Sequence, residues 1–309
     1  MSMKERLLKH VFNKHMAWRL DELVAPRYPI LLEYPIDPVP RWGYGKPGHP
    51  QLTEIVEEHR GSYQDLLGQF EGYLHWLERI PIEPDPRDAT GPYWRNPFFS
   101  RLDAIALYCL VAIRKPRLFV EVGSGNSTRF SRRAMVDHRL PTRLVSIDPH
   151  PRVEVDAICD ELIRVPLEST DLSVFDRVQP GDFVFIDNSH RSFTNSDATA
   201  FFIDVLPRLP GGVTVHVHDI FVPLDYPVEW SAWHYSEQYL LACYLLGARG
   251  GRMPRVVLPN AFVSFDEPLR RAAERLWSGS DALRPMIDPG RPYGGIPGCH
   301  GTSFWFEVP

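Results

Sequence analysis

The sequence lacks a strong charge of one sign and long apolar runs. Its formal net charge is −5 over 309 residues, which produces no field suited to a polyanion, so nucleic acid is not expected as a partner. No stretch reaches about 18 consecutive apolar residues, and the opening MSMKERLLKHVFNKH has neither a continuous apolar segment nor a small-residue cleavage site. We therefore expect neither stable membrane insertion nor secretion, and we predict a cytoplasmic protein.

Cysteine is also scarce, whereas proline is abundant. The four cysteines, Cys109, Cys159, Cys243 and Cys299, form no C-x-x-C pair and no zinc-ligand spacing, which favours small buried residues in a reducing compartment. Proline accounts for 30 of the 309 residues, and many prolines lie within 26–97 and after residue 254. The most regular part of the chain is therefore expected between these two regions.

The region before residue 98 predicts a mainly helical and irregular cap. Apolar residues recur at three- and four-residue spacing over 4–24, which predicts an amphipathic helix with a basic opposite face. Such a helix could lie on a membrane surface, or pack against its own domain or a second subunit of a homo-oligomer. The proline-rich segments 25–50 and 80–97 should be irregular, and 51–79 predicts one long helix. We place the boundary between an N-terminal cap, 1–97, and a core domain, 98–309, after these segments.

Beyond the boundary, helical segments alternate with short apolar runs. Strand-like runs cover 117–123, 143–149, 161–168, 182–190 and 213–220, helices are predicted over 100–113 and from residue 235, and two closing strands over 255–264 and 301–308. A spacing of about 20–35 residues between strands is typical of βαβ units, and nearly continuous apolar runs are typical of strands covered on both faces. The core is therefore predicted to be a doubly wound α/β domain.

Polar residues follow these predicted strands at the points where they end. They are Glu121, the turn Gly123-Ser124-Gly125-Asn126-Ser127-Thr128, Asp148, Glu168, Asp187, His190, His218 and Asp219. Open parallel sheets bind ligands at the carboxyl ends of their strands, and glycines allow a backbone to approach a ligand closely. Each feature alone can also be explained as a turn, a helix cap or a solvated carboxylate. Together on one sheet edge they indicate a ligand site.

The segment VEVGSGNST resembles motif I of class I S-adenosylmethionine-dependent methyltransferases. SIDP and DFVFIDNSH are similar to the second and fourth strands of that family, and GTSFWFEV is similar to its last strand. Within the class, IDNSH followed by LPRLPGGVTVHVHDIF resembles a bacterial subfamily that includes small-molecule and sugar O-methyltransferases. The resemblance covers about residues 100–309. It implies a Rossmann-like, doubly wound sheet of seven strands in the order 3-2-1-4-5-7-6, with the last strand antiparallel.

The resemblance also implies a cofactor and its binding residues. With S-adenosylmethionine as the methyl donor, the turn after strand one would hold its methionine part, Asp148 would accept hydrogen bonds from its ribose, and Glu168 would border its adenine. The expected cofactor-binding residues are Glu121, Gly123, Ser124, Gly125, Asn126, Ser127, Asp148, Glu168 and Asp187. The implied reaction is methyl transfer to a hydroxyl of a small molecule or sugar, as in natural-product or glycan biosynthesis.

A hydroxyl acceptor must lose its proton, and the sequence offers two ways to remove it. His190 could act as a general base beside Asp187, which makes these two the predicted catalytic residues. Alternatively, Asp187, His218 and Asp219 could hold a divalent cation that lowers the pKa of the hydroxyl. Magnesium prefers oxygen ligands, so the histidine leaves manganese or no metal open.

Several other side chains allow two interpretations. His216 lies one layer deeper than His218 on the same strand face and is expected to be a core residue. The helix after strand five opens with Trp230, Trp233, His234, Tyr235, Glu237 and Gln238, which could line an acceptor pocket or anchor the helix by packing.

Two other functions stay open. A nicotinamide-dependent oxidoreductase shares such a sheet and the ribose-binding acid, but it needs a complete glycine fingerprint, and Thr128 stands where the third glycine would be. A methyltransferase-like protein that binds the cofactor without transferring methyl would carry the same motifs. Measuring turnover with a labelled donor separates this second function from methyl transfer.

Overall fold

The computed structural model describes residue 34 and residues 37–99, 101–288 and 290–309. The chain divides into two units, Met1–Val39 and Pro40–Pro309, and the helices and strands given below belong to the second. The amphipathic helix predicted over 4–24 and the beginning of the proline-rich segment at 25–50 lie outside the described residues.

Three short helices replace the single helix predicted over 51–79. They are α1 (Pro50–Glu57), α2 (Arg60–Glu71) and α3 (Leu74–Leu77). At the first break, the Tyr63 hydroxyl donates a hydrogen bond of 2.8 Å to the carbonyl oxygen of Val56, one of the last carbonyls of α1. The prediction of one continuous helix was wrong because local apolar spacing does not register such a side-chain cap.

The remaining helices are distributed among the strands along the chain. They are α4 (Arg101–Arg114), α5 (Asn126–Asp137), α6 (Asp197–Ala200), α7 (Glu237–Gly247), α8 (Asn260–Phe265) and α9 (Glu267–Ser278). Helix α1 contacts α7, and α2 contacts both α4 and α9. The helices of 50–71 therefore pack on helices of the core. The domain boundary after residue 97 stays a prediction.

Seven strands form one sheet in the order β3-β2-β1-β4-β5-β7-β6. They are β1 (Leu118–Val122), β2 (Arg143–Ile147), β3 (Glu161–Ile163), β4 (Phe183–Ile186), β5 (Thr214–Val217), β6 (Arg255–Pro259) and β7 (Phe304–Glu307). Strands β1 to β5 pair in parallel, and β7 is antiparallel to both β5 and β6. Every residue of β1, β4 and β5 is buried, as expected of strands covered on both faces. The predicted fold class and strand order are confirmed.

All seven strands are shorter than the runs that predicted them, and two of these runs continue into a different structure. The strand predicted over 161–168 keeps only β3, an edge strand, because Pro166 follows and the chain enters a 3₁₀ turn over Leu167–Ser169. The strand predicted over 255–264 ends at Pro259, where the chain turns into α8. The amide of Asn260 then donates to the carbonyl oxygen of Ser303 at 2.8 Å, so the turn stays tied to the segment before β7. No helix within the described residues is long and apolar enough to cross a membrane.

Candidate active site

The turn after β1 lies directly against the end of β4. Gly123 has a φ of +81°, in the region that favours glycine. A Cβ atom at this position would lie 1.7 Å from the carbonyl oxygen of Asp187. The amide of Asp187 in turn donates to the carbonyl oxygen of Val122 at 2.9 Å. Glycine is therefore required here, because a side chain would force the ends of β1 and β4 apart.

Glu121 is fully buried beneath this turn. Its two carboxylate oxygens accept hydrogen bonds from the Ser127 hydroxyl at 2.6 Å and from the Thr128 hydroxyl at 2.5 Å. Burial raises the pKa of Glu121 to about 8, although the two hydroxyl donors act in the opposite direction. Thr128 also accepts from the amide of Gly125 at 2.9 Å. The Glu121 carboxyl group therefore holds the turn to the start of α5, and Thr128, which stands where a third glycine would be, has a structural task.

Asp148 ties the same turn to the end of β2. One of its carboxylate oxygens accepts from the amide of Ser124 at 2.7 Å, and the other accepts from the amide of His150 at 2.8 Å. The side chain is half-buried and faces a cavity above the sheet edge. Each carboxylate oxygen can accept more than one hydrogen bond, so Asp148 can still accept from ligand hydroxyls.

Glu168, which follows β3, borders the same cavity. Its Oε2 atom is buried and has no hydrogen-bond partner among the described residues. A buried acceptor without a partner carries a free-energy cost of about 1–3 kcal/mol, which a ligand donor such as an amino group would relieve. Glu168 therefore fits a ligand that presents an N–H group at this end of the cavity.

One cavity of about 340 Å³ brings most of the predicted binding residues together. Its lining includes Gly123, Ser124, Gly125, Asn126, Ser127, Asp148, Glu168 and Asp187. Glu121 is not part of the lining, because its carboxylate faces Ser127 and Thr128. Backbone glycines, a ribose-type acceptor and an unpartnered carboxylate oxygen along one cleft fit S-adenosylmethionine, whose ribose and adenine carry matching donors. The individual binding assignments stay predictions.

A cluster of histidines and carboxylates lies beside this cavity, centred on Asp187. The Nε2 atom of His190 is 3.4 Å from a carboxylate oxygen of Asp187 and 3.4 Å from one of Asp219. Its Nδ1 atom is 3.1 Å from a carboxylate oxygen of Glu237, a fully buried residue at the start of α7. The side-chain amide of Asn188 also donates to Glu237, at 2.7 Å. His190 is therefore surrounded by three carboxylates.

These carboxylates decide the charge of the imidazole. Burial disfavours the charged ring, but Asp219, Asp187 and Glu237 together raise the pKa of His190 to about 10. Burial likewise opposes the ionisation of Asp187, but the rings of His218 and His190 hold its pKa well below the usual range. At neutral pH the ring is therefore protonated and Asp187 is ionised. His190 donates hydrogen bonds in this state, whereas a general base must accept a proton.

His218 links Asp187 to a carboxylate that the sequence interpretation missed. Its Nδ1 atom is 3.4 Å from Asp187 and 3.5 Å from Asp219, and its Nε2 atom is 3.3 Å from Asp103 on α4. Asp103 is fully buried, and it also accepts from the Tyr293 hydroxyl at 2.7 Å. A single aspartate within the apolar run LDAIALYCLVAI was the available signal, since a buried carboxylate requires partners.

The three predicted metal ligands come together, but their arrangement does not fit a metal. The Nδ1 atom of His218 lies between the other two, 3.4 Å from a carboxylate oxygen of Asp187 and 3.5 Å from one of Asp219. Among the described residues, no group of three or more His, Cys, Asp and Glu side chains is placed to hold a metal ion. We therefore assign no step of the reaction to a metal.

The remaining residues singled out in the sequence divide between core and cleft. His216 stacks on Phe185 with ring centroids 3.7 Å apart, and its Nε2 atom is 2.8 Å from the Ser303 hydroxyl, as expected of a core histidine. Trp230 is buried, and its indole N–H donates to the carbonyl oxygen of Gly294 at 2.7 Å. Trp233 borders a second cavity.

Residues 120–220, about a third of the chain, match the family model of a methyltransferase domain. The match includes the end of β1 and the turn after it, Asp148, Glu168 and the residues around Asp187 and His218. It supports a class I S-adenosylmethionine-dependent methyltransferase. The bacterial O-methyltransferase subfamily stays a prediction. A comparison with curated proteins finds no match.

Solved structures of methyltransferases are similar to the chain at low sequence identity. An S-adenosylhomocysteine-bound methyltransferase from Podospora anserina has 15% identity and a TM-score of 0.37, over 71% of this chain and 95% of that one. An O-methyltransferase from Bacillus cereus in complex with S-adenosylhomocysteine has 12% identity and a TM-score of 0.31, over 96% of this chain and 97% of that one. The fold assignment rests on the strand order of this chain and not on these neighbours.

Proposed function

We propose that this protein transfers a methyl group from S-adenosylmethionine to a hydroxyl of a small molecule or sugar. The observation that carries the proposal is the cavity at the ends of β1, β2 and β4, where the glycine turn, Asp148 and the unpartnered oxygen of Glu168 lie together. A nicotinamide enzyme would need a third glycine in this turn, and Thr128 instead donates to Glu121.

Asp187 is the side chain placed to receive the hydroxyl proton. It lines the cavity of about 340 Å³, which we call the donor cavity. Of its side chain 23% is exposed, whereas only 5% of the His190 side chain is exposed. Bound S-adenosylmethionine supplies a methyl group already activated by a sulfonium. As the acceptor oxygen bonds to that carbon and the carbon–sulfur bond breaks, the hydroxyl becomes strongly acidic. A carboxylate with a low pKa can then take the proton.

His190 and His218 act as positioning residues in this proposal. Both rings contact the carboxylate oxygen Oδ1 of Asp187 at 3.4 Å, and Glu237 and Asp103 hold the far side of each ring. Holding reacting groups in line is the main contribution expected of the protein, because the methyl group is already activated. The proposal thus keeps Asp187 as the predicted catalytic residue and gives His190 a role behind it.

Isothermal calorimetry tests the donor assignment. The protein should bind S-adenosylmethionine and S-adenosylhomocysteine but not NAD, and Asp148→Ala should weaken donor binding by about 10–100-fold because a hydrogen-bond acceptor for the ribose is lost. The matched control is Asp176→Ala, which removes an exposed aspartate far along the chain from the turn. Equal affinities for wild type and Asp148→Ala would refute the role of Asp148.

Transfer itself is measured with a donor carrying an isotopically labelled methyl group. Panels of hydroxylated small molecules and sugars are incubated with the protein, and products that gain one labelled methyl are identified by mass spectrometry. Label on an oxygen supports the proposed reaction, and label on nitrogen or carbon would refute the hydroxyl acceptor. Donor binding without any labelled product would favour the protein that binds the cofactor without transferring methyl.

A further inference from the structure

A second cavity, of about 750 Å³, lies next to the donor cavity. Asn96 and Pro97 border it, while Phe98 and Phe99 border the donor cavity, so one short segment separates the two. This volume is in the range of small-molecule sites. The second cavity is therefore large enough for a separate ligand beside the methyl donor.

Positive charge dominates the walls of this cavity. Arg95, Arg101 and Arg291 border it, against one carboxylate, Asp288, which accepts from the amide of Gly290 at 2.9 Å. Arg95 is already paired with Glu83, at 2.9 Å. The other two arginines form no ion pair within the described residues.

Arg101 is the buried member of this set, with 7% of its surface exposed. Its guanidinium donates to carbonyl oxygens, that of Arg291 at 2.5 Å and that of Cys299 at 3.4 Å. A buried cation is costly unless it is paired, and carbonyl oxygens satisfy its hydrogen bonds without neutralising its charge. The site therefore favours a ligand that carries negative charge.

The aromatic walls supply a further, independent observation. Trp94 borders the cavity and is fully buried, and its indole N–H has no acceptor among the described residues. Trp233 and Tyr293 border the cavity as well. Flat aromatic side chains suit a planar apolar group.

The cavity is connected to the reacting cluster through Tyr293. The Tyr293 hydroxyl donates to Asp103 at 2.7 Å and lies 3.5 Å from the Nε2 atom of His218. His218 contacts Asp187, which lines the donor cavity. The second cavity and the donor cavity therefore meet the same buried cluster from two sides.

We propose that the second cavity binds a separate ligand that combines a planar ring with an anionic oxyacid group, either a carboxylate or a phosphate. Arg101 and Arg291 would bind the anionic group, and the aromatic walls would hold the ring. This inference does not depend on the proposed function and can be tested separately from it.

The test measures binding of simple probes to the full chain by saturation-transfer NMR titration. The probes are benzoate, phenyl phosphate and neutral benzyl alcohol, each with and without saturating S-adenosylhomocysteine. At least one anionic probe should bind about tenfold or more tightly than benzyl alcohol, because charge-assisted hydrogen bonds are the stronger ones. The anion that binds more tightly identifies the ligand class of the second cavity as a carboxylate or a phosphate.

Variants locate the site of binding. Arg291→Ala should weaken the preferred anion by about three- to tenfold, since the lost side chain is exposed and partly screened. Arg101→Gln should weaken it by more than about tenfold because its charge is buried. The matched control, Arg252→Ala, removes an exposed arginine outside the cavity and should change nothing. Thermal melting checks that Arg101→Gln folds, and Arg291→Ala tests the inference even if it does not.

Each outcome separates the anion site from the proposed function. Anions that bind no better than benzyl alcohol, or an Arg291→Ala affinity equal to that of wild type, would overturn the inference. Loss of anion binding on saturation with S-adenosylhomocysteine would also overturn it, because the probe would then occupy the donor cavity. If anions bind as expected but calorimetry finds no S-adenosylmethionine binding, the cavity stands as an anion site and the proposed methyl transfer fails.

Discussion

The donor cavity and the cluster around Asp187 satisfy their polar groups in opposite ways. In the donor cavity, Asp148 is half-buried with room for further hydrogen bonds, and Glu168 leaves a buried oxygen without a partner. In the cluster, all four ring nitrogens of His190 and His218 face carboxylates. Polar groups of the donor cavity therefore still have hydrogen bonds to offer a ligand, whereas the ring nitrogens of the cluster already have partners without one.

This difference separates affinity from rate. A group that hydrogen-bonds only to the bound methyl donor contributes to ground-state binding, so its loss should appear in the dissociation constant. In the proposed reaction, a group held within the cluster acts when charge moves during methyl transfer, so its loss should appear in kcat. Substitutions in the two regions therefore test whether the contrast between them is functional.

The largest effect is expected for Asp187→Asn. The amide keeps the size of the side chain but cannot take a proton, and kcat should fall by about 10²–10⁴-fold. The dissociation constant of S-adenosylhomocysteine should change by less than about threefold, because hydrogen bonding at the donor is not the role assigned to Asp187. Initial rates with the acceptor found in the labelled-donor assay give kcat, and calorimetry gives the dissociation constant.

The pH profile of wild type is the internal control for that result. Since the pKa of His190 is raised to about 10, the ring should stay protonated and the rate should be nearly flat from about pH 8 to about pH 6. A rate that falls through the ordinary histidine range of about 6.5 would instead make neutral His190 the base. An Asp187→Asn variant with wild-type kcat would remove Asp187 from the reaction.

A smaller effect, on stability, is expected for Gly123→Ala. The added Cβ would collide with the carbonyl oxygen of Asp187, and the backbone has a φ of +81°, so the free energy of unfolding should fall by about 3 kcal/mol. Gly125→Ala is the matched control in the same turn. A Cβ there meets nothing within 4 Å, and its φ of 179° is extended. Urea unfolding that shows equal losses for the two variants would contradict the close contact between β1 and β4.

The smallest effect is expected for Glu121, which lies beneath the turn after β1 and already has hydrogen-bond partners in Ser127 and Thr128. Its pKa is about 8 in the folded chain, against about 4.3 for an unperturbed glutamate. Between these values the unfolded chain has lost a proton that the folded chain keeps, so wild type loses stability as pH rises, by about 1.4 kcal/mol per pH unit. This contribution is fully present below the unfolded pKa and is lost as pH rises through the folded pKa.

Glu121→Gln removes this titration and isolates it from all other groups. Urea unfolding of wild type and variant at about pH 5.5 and about pH 6.5 gives two differences in unfolding free energy, and these should differ by about 1.4 kcal/mol in favour of the variant at the higher pH. A constant difference would mean that Glu121 is ionised in the folded chain, held so by Ser127 and Thr128.

The local pattern of the sequence was sufficient to predict which segments form strands and which polar residues follow them. Short apolar runs that stop at polar residues predict β1, β2, β4 and β5, and the carboxyl ends of parallel strands must meet at one edge. Asp148, Glu168 and Asp187 consequently line one cavity, as the sequence indicated. The order of the seven strands came from the resemblance of the motifs and agrees with the structure.

Only the tertiary structure decided which partners these residues meet. Asp103 lies 115 positions before His218, and Glu237 lies 47 positions after His190, so no local period reports either contact. Burial within an apolar helix predicts that Asp103 has partners but does not say which ones. The hydrogen bonds of Glu121 are decided in the same way. Alternation along a strand predicts which face of the sheet its side chain lies on, but not that the hydroxyls of Ser127 and Thr128 are there to bind it. Charge and protonation follow from these long-range contacts, and the proposal that Asp187 rather than His190 takes the proton rests on them.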